Sequence, residues 1–266
     1  MAIKLLAVDL DDTLLNEKCI VSEANKKAIQ EAVARGVIVT IATGRMYESA
    51  QKIAKEIGID VPLISYNGAF VKTAVSEEVL MKRCLDEDAA RAVLDLFREK
   101  GWYIQLYRND TLYVDKATDD TRAYEARVET KAVEIGEAFY EDPRDILKML
   151  AISDPDKIDY VEETVHTLFA GKVFAPRSMP RFLEIVNAKV NKGEALRFVA
   201  EHFGIKREEV MAIGDSNNDI AMLEYAGIGI AMGNAKPRVL EVADAITATN
   251  AKDGVAEAIK KYILAE

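Results

Sequence analysis

The sequence predicts an α/β protein in which a doubly wound parallel-sheet domain is interrupted by an inserted α+β domain. Strand-like and helix-like segments alternate through residues 3–65 and again after residue 187, which indicates a parallel sheet with helical crossovers. Between these stretches, residues 102–107 and 111–115 flank the turn residues Arg108, Asn109 and Asp110, a pattern typical of an antiparallel hairpin. We therefore predict a core domain of residues 1–83 and 187–266 and an inserted domain of residues 84–186.

The first half of the core domain has a local signal for each element. An apolar run up to Val8 indicates a strand buried on both faces. Ser22 is a typical helix cap, and Gly36 and Gly58 are typical helix ends. Asn67-Gly68 indicates a turn. The predicted elements are strands 3–8, 37–42 and 61–65, helices 22–35 and 46–57, and a small hairpin of 69–72 with 79–83.

The remaining elements follow from the same patterns of apolar spacing. In the inserted domain we predict helices 86–100, 118–127 and 156–169 and strands 102–107, 111–115, 146–153, 172–175 and 181–186. In the second half of the core we predict helices 193–203 and 218–225, helices starting near 237 and 254, and strands 210–213, 228–231 and 245–248.

One predicted strand of the inserted domain alternates between two faces. Alternation places Tyr103, Gln105 and Tyr107 on the face opposite Trp102, Ile104 and Leu106. The tyrosine face either looks towards an active site or forms cross-strand pairs on a solvated sheet.

Composition narrows the class of partner. The net charge of −10 argues against nucleic acid or an anionic membrane, but not against a small anionic substrate beside a local cation. Cys19 and Cys84 form no metal or redox motif, and no apolar run approaches the ~20 residues of a membrane span. We expect a cytoplasmic protein that is a monomer or a weak homodimer.

Two carboxylates, Asp9 and Asp11, stand one residue apart where the first strand ends. At a separation of about 4 Å they would repel by roughly 4 kcal/mol at an effective dielectric near 20. A cation or a proton must therefore be part of this site. A calcium loop is excluded, because Leu14 and Ile20 stand where such a loop needs Gly and Glu.

Unusual residues occur at four predicted strand or helix ends of the parallel domain. Because the carboxyl ends of parallel strands share one edge of a sheet, these groups could converge there. Carboxylates, a hydroxyl, a lysine and helix N-termini suit a phosphate held beside Mg²⁺. The four points are Asp9/Asp11/Thr13, Thr43-Gly44-Arg45, Lys192-Gly193 and the segment from Gly214 to Asp219.

This set of motifs resembles the haloacid dehalogenase-like superfamily. That family has Asp-x-Asp-x-Thr after its first strand, then a Thr or Ser, a lysine, and Gly-Asp-x-x-x-Asp, in that order. The stretches around Thr43, Asn67, Lys192 and Asp215 look like its Cof-type branch, with a class IIB cap inserted between the second and third motifs. The resemblance implies a Rossmann-like core with an α+β cap domain at residues 84–186.

The resemblance also implies roles for individual residues. Asp9 would be the nucleophile and Asp11 the general acid and base. Mg²⁺ would be held by Asp9, the Asp11 backbone carbonyl and Asp215, while Asp219 would orient Lys192 or metal-bound waters. The phosphate oxygens would be bound by Leu10, Thr43, Gly44, Lys192 and Asn218.

Three details qualify this assignment. Lys189 is a second candidate for the lysine, but only Lys192 directly precedes the predicted helix start. Asp12 stands where the family often has Gly, and its carboxylate would face solvent or cap the next turn. His166 and His202 fall in predicted helices outside the motifs and are interpreted as structural.

The implied activity is that of a Mg²⁺-dependent phosphatase acting on small phosphorylated metabolites through an aspartyl-phosphate intermediate. Sugar phosphates are the default substrate in the family, with flavin mononucleotide and pyridoxal phosphate as alternatives. Two competing hypotheses are a phosphomutase of the same superfamily and a non-catalytic, phosphorylation-controlled receiver-like protein. The size of the insertion and the order of the motifs argue against a receiver.

Overall fold

The computed structural model describes residues 2–128 and 130–265. The chain divides into two units, a core unit of Met1–Met81 with Asn191–Glu266 and an inserted unit of Lys82–Val190. The predicted boundaries of the insertion were 84 and 186. None of the helices in the described residues is long and apolar enough to cross a membrane.

Strands and helices lie close to the predicted ranges. The strands are β1 Leu5–Asp9, β2 Ile38–Ala42, β3 Pro62–Ser65, β4 Phe70–Thr73, β5 Val79–Lys82, β6 Ile104–Arg108, β7 Thr111–Val114, β8 Ala132–Glu134, β9 Ile146–Ile152, β10 Val173–Phe174, β11 Arg177–Met179, β12 Phe182–Asn187, β13 Val210–Gly214, β14 Ile228–Ala231 and β15 Ala245–Ile246. The helices are α1 Glu23–Ala34, α2 Tyr47–Ile57, α3 Glu87–Lys100, α4 Asp119–Val128, α5 Ala138–Glu141, α6 Ile158–Leu168, α7 Lys192–His202, α8 Ile220–Tyr225, α9 Pro237–Val242 and α10 Gly254–Ile259.

The core unit is built on a sheet of strand order β15-β14-β13-β1-β2-β3-β4-β5. Neighbouring strands from β15 to β3 pair in parallel, and β4 turns back antiparallel to β3. Every residue of β1 is buried, as its unbroken apolar run predicts for a central strand. Apolar side chains of the sheet and of α7 and α8 form one hydrophobic cluster.

The register of the parallel strands brings their carboxyl ends to one edge. Asp9 at the end of β1 pairs with Ala42 at the end of β2, and Val8 pairs with Ile213, one residue before the end of β13. The segments that follow β1, β2 and β13 therefore begin side by side, and each carries one of the predicted motifs.

The inserted unit contains a seven-stranded sheet in the order β10-β12-β9-β6-β7-β8, with β11 paired to β12. The β6–β7 hairpin turns at Asn109 and Asp110, both left-handed, as predicted for these turn residues. Pairing is not antiparallel throughout, because β8 lies parallel to β7. The three-residue strands β8 and β11 and the four-residue helix α5 had no prediction, since such short elements have little periodicity.

The tyrosine face of β6 is not solvated, so the interpretation as exposed cross-strand pairs is wrong. Gln105 and Tyr107 are completely buried. The hydroxyl of Tyr107 donates to that of Tyr124 on α4 at 2.6 Å, and the hydroxyl of Tyr103 lies 2.8 Å from that of Thr121 on the same helix. Residues of α4 therefore satisfy this polar face.

Candidate active site

The chain leaves β1 through a distorted helical turn, Leu10–Leu14, that separates the two predicted carboxylates. Asp11 is extended (φ −76°, ψ 131°) and Asp12 is left-handed (φ 58°, ψ 7°). Asp9 is consequently buried, while the side chain of Asp11 is about half exposed. The repulsion between Asp9 and Asp11 that their spacing in sequence predicts is therefore not the largest repulsion on Asp9. The acidic groups that raise the pKa of Asp9 are Asp219 and Asp215.

Lys192 joins two of the buried carboxylates. Its Nζ donates to Asp9 Oδ1 at 2.5 Å and to Asp219 Oδ1 at 2.6 Å. Lys192 is the first residue of α7, and the side chain of Asn191 caps this helix by accepting from the Glu194 amide at 2.8 Å. Lys192 rather than Lys189 therefore contacts Asp9; Lys189 lies in the inserted unit, where its carbonyl accepts from Arg83.

Asp219 is engaged from both sides. Its Oδ2 accepts from the amides of Asp215 and Ser216 at 3.0 and 2.9 Å, while its Oδ1 accepts from Lys192. Asp215 is oriented by two hydroxyls, Thr13 Oγ1 on its Oδ1 and Ser216 Oγ on its Oδ2, each at 2.9 Å. Asp219 thus shapes the site around Lys192 and Asp215.

The pKa values of this cluster are shifted by burial and by the presence of three carboxylates with one ammonium group. Burial, then the Asp219 carboxylate, raises the pKa of Asp9 well above its usual range, although Lys192 opposes the shift. Burial and Asp219 also raise the pKa of Asp215. Burial alone would lower the pKa of Lys192, but Asp219 and Asp9 outweigh it and raise that pKa, so the ammonium stays charged.

Three buried carboxylates with one ammonium leave an excess of negative charge that suits a cation. Oxygens of Asp9, Asp215 and Asp219 lie within 4.8 Å of one another, close enough to hold a metal ion. Because Asp219 already accepts three N–H groups, Asp9 and Asp215 are the better ligands. Hard oxygen donors of this kind fit a divalent cation such as Mg²⁺.

Arg45 is a contact that the sequence analysis missed. Its Nε donates to Asp11 Oδ2 at 3.0 Å and its Nη2 to Asp11 Oδ1 at 2.5 Å, a bidentate pair that fixes the direction of the Asp11 side chain. The signal was present in the Thr43-Gly44-Arg45 motif, but sequence spacing does not show where a long side chain ends.

Thr43 and its neighbours form the other wall of the site. Thr43 is buried at the end of β2, and its Oγ1 accepts from the Arg45 amide at 3.1 Å. Because a hydroxyl that accepts can still donate, Thr43 can offer its O–H to an anion. A Cβ on Gly44 would lie 3.0 Å from Asn67 Oδ1, so this glycine permits a close approach of the two segments.

Asn67 is a second residue that sequence reasoning did not assign to the site. Its Oδ1 accepts from Asn218 Nδ2 at 3.0 Å, so Asn218, predicted to bind phosphate, is oriented by Asn67. Tyr66, Asn67 and Gly68 all have positive φ, a run that is sparsely populated outside functional loops. The Asn67-Gly68 pair was interpreted as a turn signal and as part of the resemblance to the Cof-type branch, but no contact in the site was assigned to it.

The structure thus brings together most, but not all, of the predicted residues. Contacts join Asp9, Thr13, Lys192, Asp215 and Asp219 to one another. Leu10 lies buried in the turn after Asp9. The phosphate contacts assigned to Leu10, Thr43, Gly44, Lys192 and Asn218 remain predictions.

A parallel sheet whose strand ends carry buried acids and a threonine, joined by a lysine from the start of α7, is typical of hydrolases of the phosphoryl-transfer class. The model of the haloacid dehalogenase-like hydrolase family matches residues 6–259. The chain belongs to this family, and it is a phosphatase.

Individual relatives agree with this assignment. The 5-amino-6-(5-phospho-D-ribitylamino)uracil phosphatase YcsE of Bacillus subtilis is 35% identical over 263 residues, which cover 98% of this chain and 96% of the relative. A haloacid dehalogenase-like hydrolase from Bacteroides thetaiotaomicron superposes with a TM-score of 0.88 at 32% identity, covering 97% and 99% of the two chains. The HAD subclass IIB sugar phosphatase BT4131 superposes with a TM-score of 0.81 at 27% identity, covering 97% and 98%.

Proposed function

We propose that this phosphatase is Mg²⁺-dependent and hydrolyses small phosphorylated metabolites through an aspartyl-phosphate on Asp9. The observation that carries the proposal is the environment of Asp9, a buried carboxylate at a strand end, 2.5 Å from Lys192 Nζ and close to Asp215. A nucleophilic carboxylate must be held in one position and stay ionised at neutral pH. Lys192 supports both requirements.

Mg²⁺ would be held by the carboxylates of Asp9 and Asp215 and by the backbone carbonyl of Asp11. When bound, it would neutralise the excess negative charge of the cluster and draw charge from the phosphoryl group. Lys192 has three N–H groups and uses two of them on Asp9 and Asp219, so the third can donate to a phosphate oxygen. Thr43 can donate its hydroxyl to a second one.

In the first step, a carboxylate oxygen of Asp9 attacks phosphorus, and the bond from phosphorus to the alcohol oxygen breaks. Asp11 gives its proton to that oxygen as the alcohol leaves. Its half-exposed side chain can take this proton from solvent beforehand.

In the second step, Asp11 acts as a base. It takes a proton from a water molecule that attacks phosphorus, the bond to Asp9 breaks, and inorganic phosphate leaves. Asp11 is then protonated again, ready for the next alcohol. Arg45 donates to both oxygens of Asp11 and so fixes the direction of its carboxyl group.

For the substrate, we propose a phosphate ester on a hydroxyl-rich chain, with sugar phosphates first. This is supported by the likeness to a sugar phosphatase. The second candidate is a ribityl phosphate, because a relative that is 35% identical carries that substrate in its name. Flavin mononucleotide also contains a ribityl phosphate and belongs in the same test.

A screen of phosphorylated metabolites with Mg²⁺, reading kcat/KM for each, tests this proposal. Sugar phosphates, ribityl phosphates and pyridoxal phosphate are the three groups to compare. A preference above about tenfold, or ~1.4 kcal/mol in transition-state binding, would name the class. Accumulation of an isomer without free phosphate would contradict a phosphatase and favour a phosphomutase.

The roles of the two acids predict that Asp9→Asn and Asp11→Asn each abolish turnover of p-nitrophenyl phosphate in Mg²⁺. Loss of the nucleophile removes the covalent route. Loss of Asp11 removes the base of the second step, which every ester needs, and loss of a general base typically costs about 10²–10⁴-fold. Asp88→Asn, an exposed position on α3, is the control and should keep full activity. Substantial activity in either active-site variant would refute the assigned role.

A further inference from the structure

A loop outside the family motifs contacts the turn that carries Asp11. This loop, residues 232–236, follows β14 and precedes α9. The Nδ2 of Asn234 donates to the backbone carbonyl of Asp12 at 2.8 Å. Two residues further on, the Lys236 amide donates to the carbonyl of Asp215 at 2.9 Å. One short loop therefore binds the backbone of two acidic motifs.

Asn234 is itself held by a second asparagine. Its Oδ1 accepts from the Asn250 amide at 3.0 Å, and the Nδ2 of Asn250 donates to the carbonyl of Leu15 at 3.0 Å. Asn250 is buried, whereas Asn234 is exposed. The asparagine pair thus donates hydrogen bonds to two backbone carbonyls of this turn. Asn234 donates to Asp12, just after Asp11, and Asn250 donates to Leu15, at the end of the turn.

The hydrogen bond from Asn234 is made to Asp12, a residue with an unfavourable backbone conformation. Asp12 has φ 58°, in the left-handed region that L-residues other than glycine rarely adopt. The torsions of Asp11 and Asp12 together turn Asp11 out of the helical path and send its side chain towards Arg45. An exposed hydrogen bond to this carbonyl adds little to folding stability, but it restrains the Asp12–Thr13 peptide and with it the left-handed Asp12 that follows Asp11.

We propose that Asn234 is a positioning residue for Asp11 and that it supports proton transfer to the leaving group. This inference rests on the proposed function, in which Asp11 protonates the departing alcohol. Without the Asn234 donor, the backbone of Asp12 is less restrained, and the carboxyl group of the preceding Asp11 spends less time within reach of the leaving oxygen. A variant that lacks the Asn234 donor should therefore lose more kcat/KM with substrates whose leaving group must be protonated than with substrates whose leaving group departs as an anion.

Two phosphate esters of similar bulk separate this role from a merely structural one. The leaving group of p-nitrophenyl phosphate is an acidic phenol that departs with little help from an acid, whereas the alcohol of benzyl phosphate must be protonated. At saturating Mg²⁺, kcat/KM reports the steps up to release of this group and leaves out the later hydrolysis common to both substrates. The ratio of the two kcat/KM values therefore reads the efficiency of Asp11 as an acid.

Asn234→Ala is expected to lower kcat/KM for benzyl phosphate about tenfold more than for p-nitrophenyl phosphate, a fraction of the ~10²–10⁴-fold that a general acid supplies. Asn234→Asp retains an oxygen for the Asn250 amide but cannot donate to Asp12, and it should shift the ratio in the same direction. Glu241→Gln, an exposed position on α9, should leave the ratio unchanged.

An equal loss for both esters in Asn234→Ala and Asn234→Asp, or no loss at all, would overturn the inference. Thermal melts of both variants show whether an equal loss comes from unfolding. A wild-type protein that releases phosphate from neither ester would instead overturn the proposed function, and this inference with it.

Discussion

At the scale of single residues, Lys192 sets the charge balance of the site. Its ammonium is buried and forms ion pairs with Asp9 and Asp219. Removing one partner of a buried ion pair leaves the other charge uncompensated, which typically costs about 3–5 kcal/mol. The same residue therefore bears on both folding and chemistry.

Lys192→Met is expected to lower the free energy of unfolding of the metal-free protein by about 3 kcal/mol at pH 8. Without Lys192, protonation is the remaining way to relieve Asp9, so the folded-state pKa of Asp9 rises further above its unfolded value near 4. A raised folded pKa contributes stability at low pH that is lost as the pH rises. The deficit of the variant should therefore shrink as the pH falls towards 5.

Urea unfolding in a chelator at pH 5 and pH 8 measures this deficit. Lys116→Met, an exposed position in the inserted unit, is the control and should change stability little at either pH. An equal deficit at both pH values would contradict the charge-balance explanation of Lys192.

The sequence predicted the residues of the site better than their contacts. Strand-end position was enough to bring Asp9, Thr13 and Asp215 together, because parallel strands share an edge, and Lys192 joins them from the start of α7. The partners of Asp11 were not predictable in the same way. The contacts of Arg45 and Asn234 depend on the torsions of Asp11 and Asp12, and a left-handed Asp leaves no mark in apolar spacing.

At the scale of elements, the first turn of α7 lies against α8. A Cβ on Gly193 would meet the carbonyl oxygen of Ala221 at 2.4 Å, a distance that real Cβ atoms do not reach. Glycine at this position therefore allows the helix start, with Lys192, to approach the segment that carries Asp219.

Gly193→Ala is expected to destabilise the protein by about 1–3 kcal/mol, the usual cost of overpacking, because a backbone oxygen cannot move aside cheaply. It should also reduce phosphatase activity, since displacement of α7 moves Lys192. Thermal or urea unfolding with a p-nitrophenyl phosphate assay measures both effects.

Glu201→Ala, an exposed position on the same helix, is the matched control and should stay within about 0.5 kcal/mol of the wild type. Wild-type stability and activity in Gly193→Ala would show that the contact between α7 and α8 is not needed.

Helices with a capping residue at one end were predicted well. Ser22 caps α1 by accepting from the Asn25 amide, and Gly58 ends α2 in the left-handed region, both as the sequence indicates. The parallel strand β8 was missed because parallel pairing depends on a distant partner. Nothing within residues 132–134 distinguishes it from an antiparallel strand or a loop.

At the scale of the whole molecule, the change from alternating strands and helices to hairpins predicted an inserted domain, and the chain divides at Lys82 and Asn191. Each unit has its own hydrophobic cluster. The core unit carries the acids, the lysine and the threonine of the site. The choice of substrate was not predictable, because the motifs specify which bond is cut and not which alcohol leaves.

The most direct test of the proposed mechanism is to look for the covalent intermediate on the wild-type enzyme. Enzyme mixed with p-nitrophenyl phosphate and Mg²⁺ is quenched rapidly in acid, digested and analysed by mass spectrometry. We predict a phosphoryl group on the peptide that contains Asp9, forming as nitrophenol is released and disappearing as inorganic phosphate accumulates. Full turnover with no phosphoryl group on that peptide at any time, or with one on another residue, would contradict Asp9 as the nucleophile.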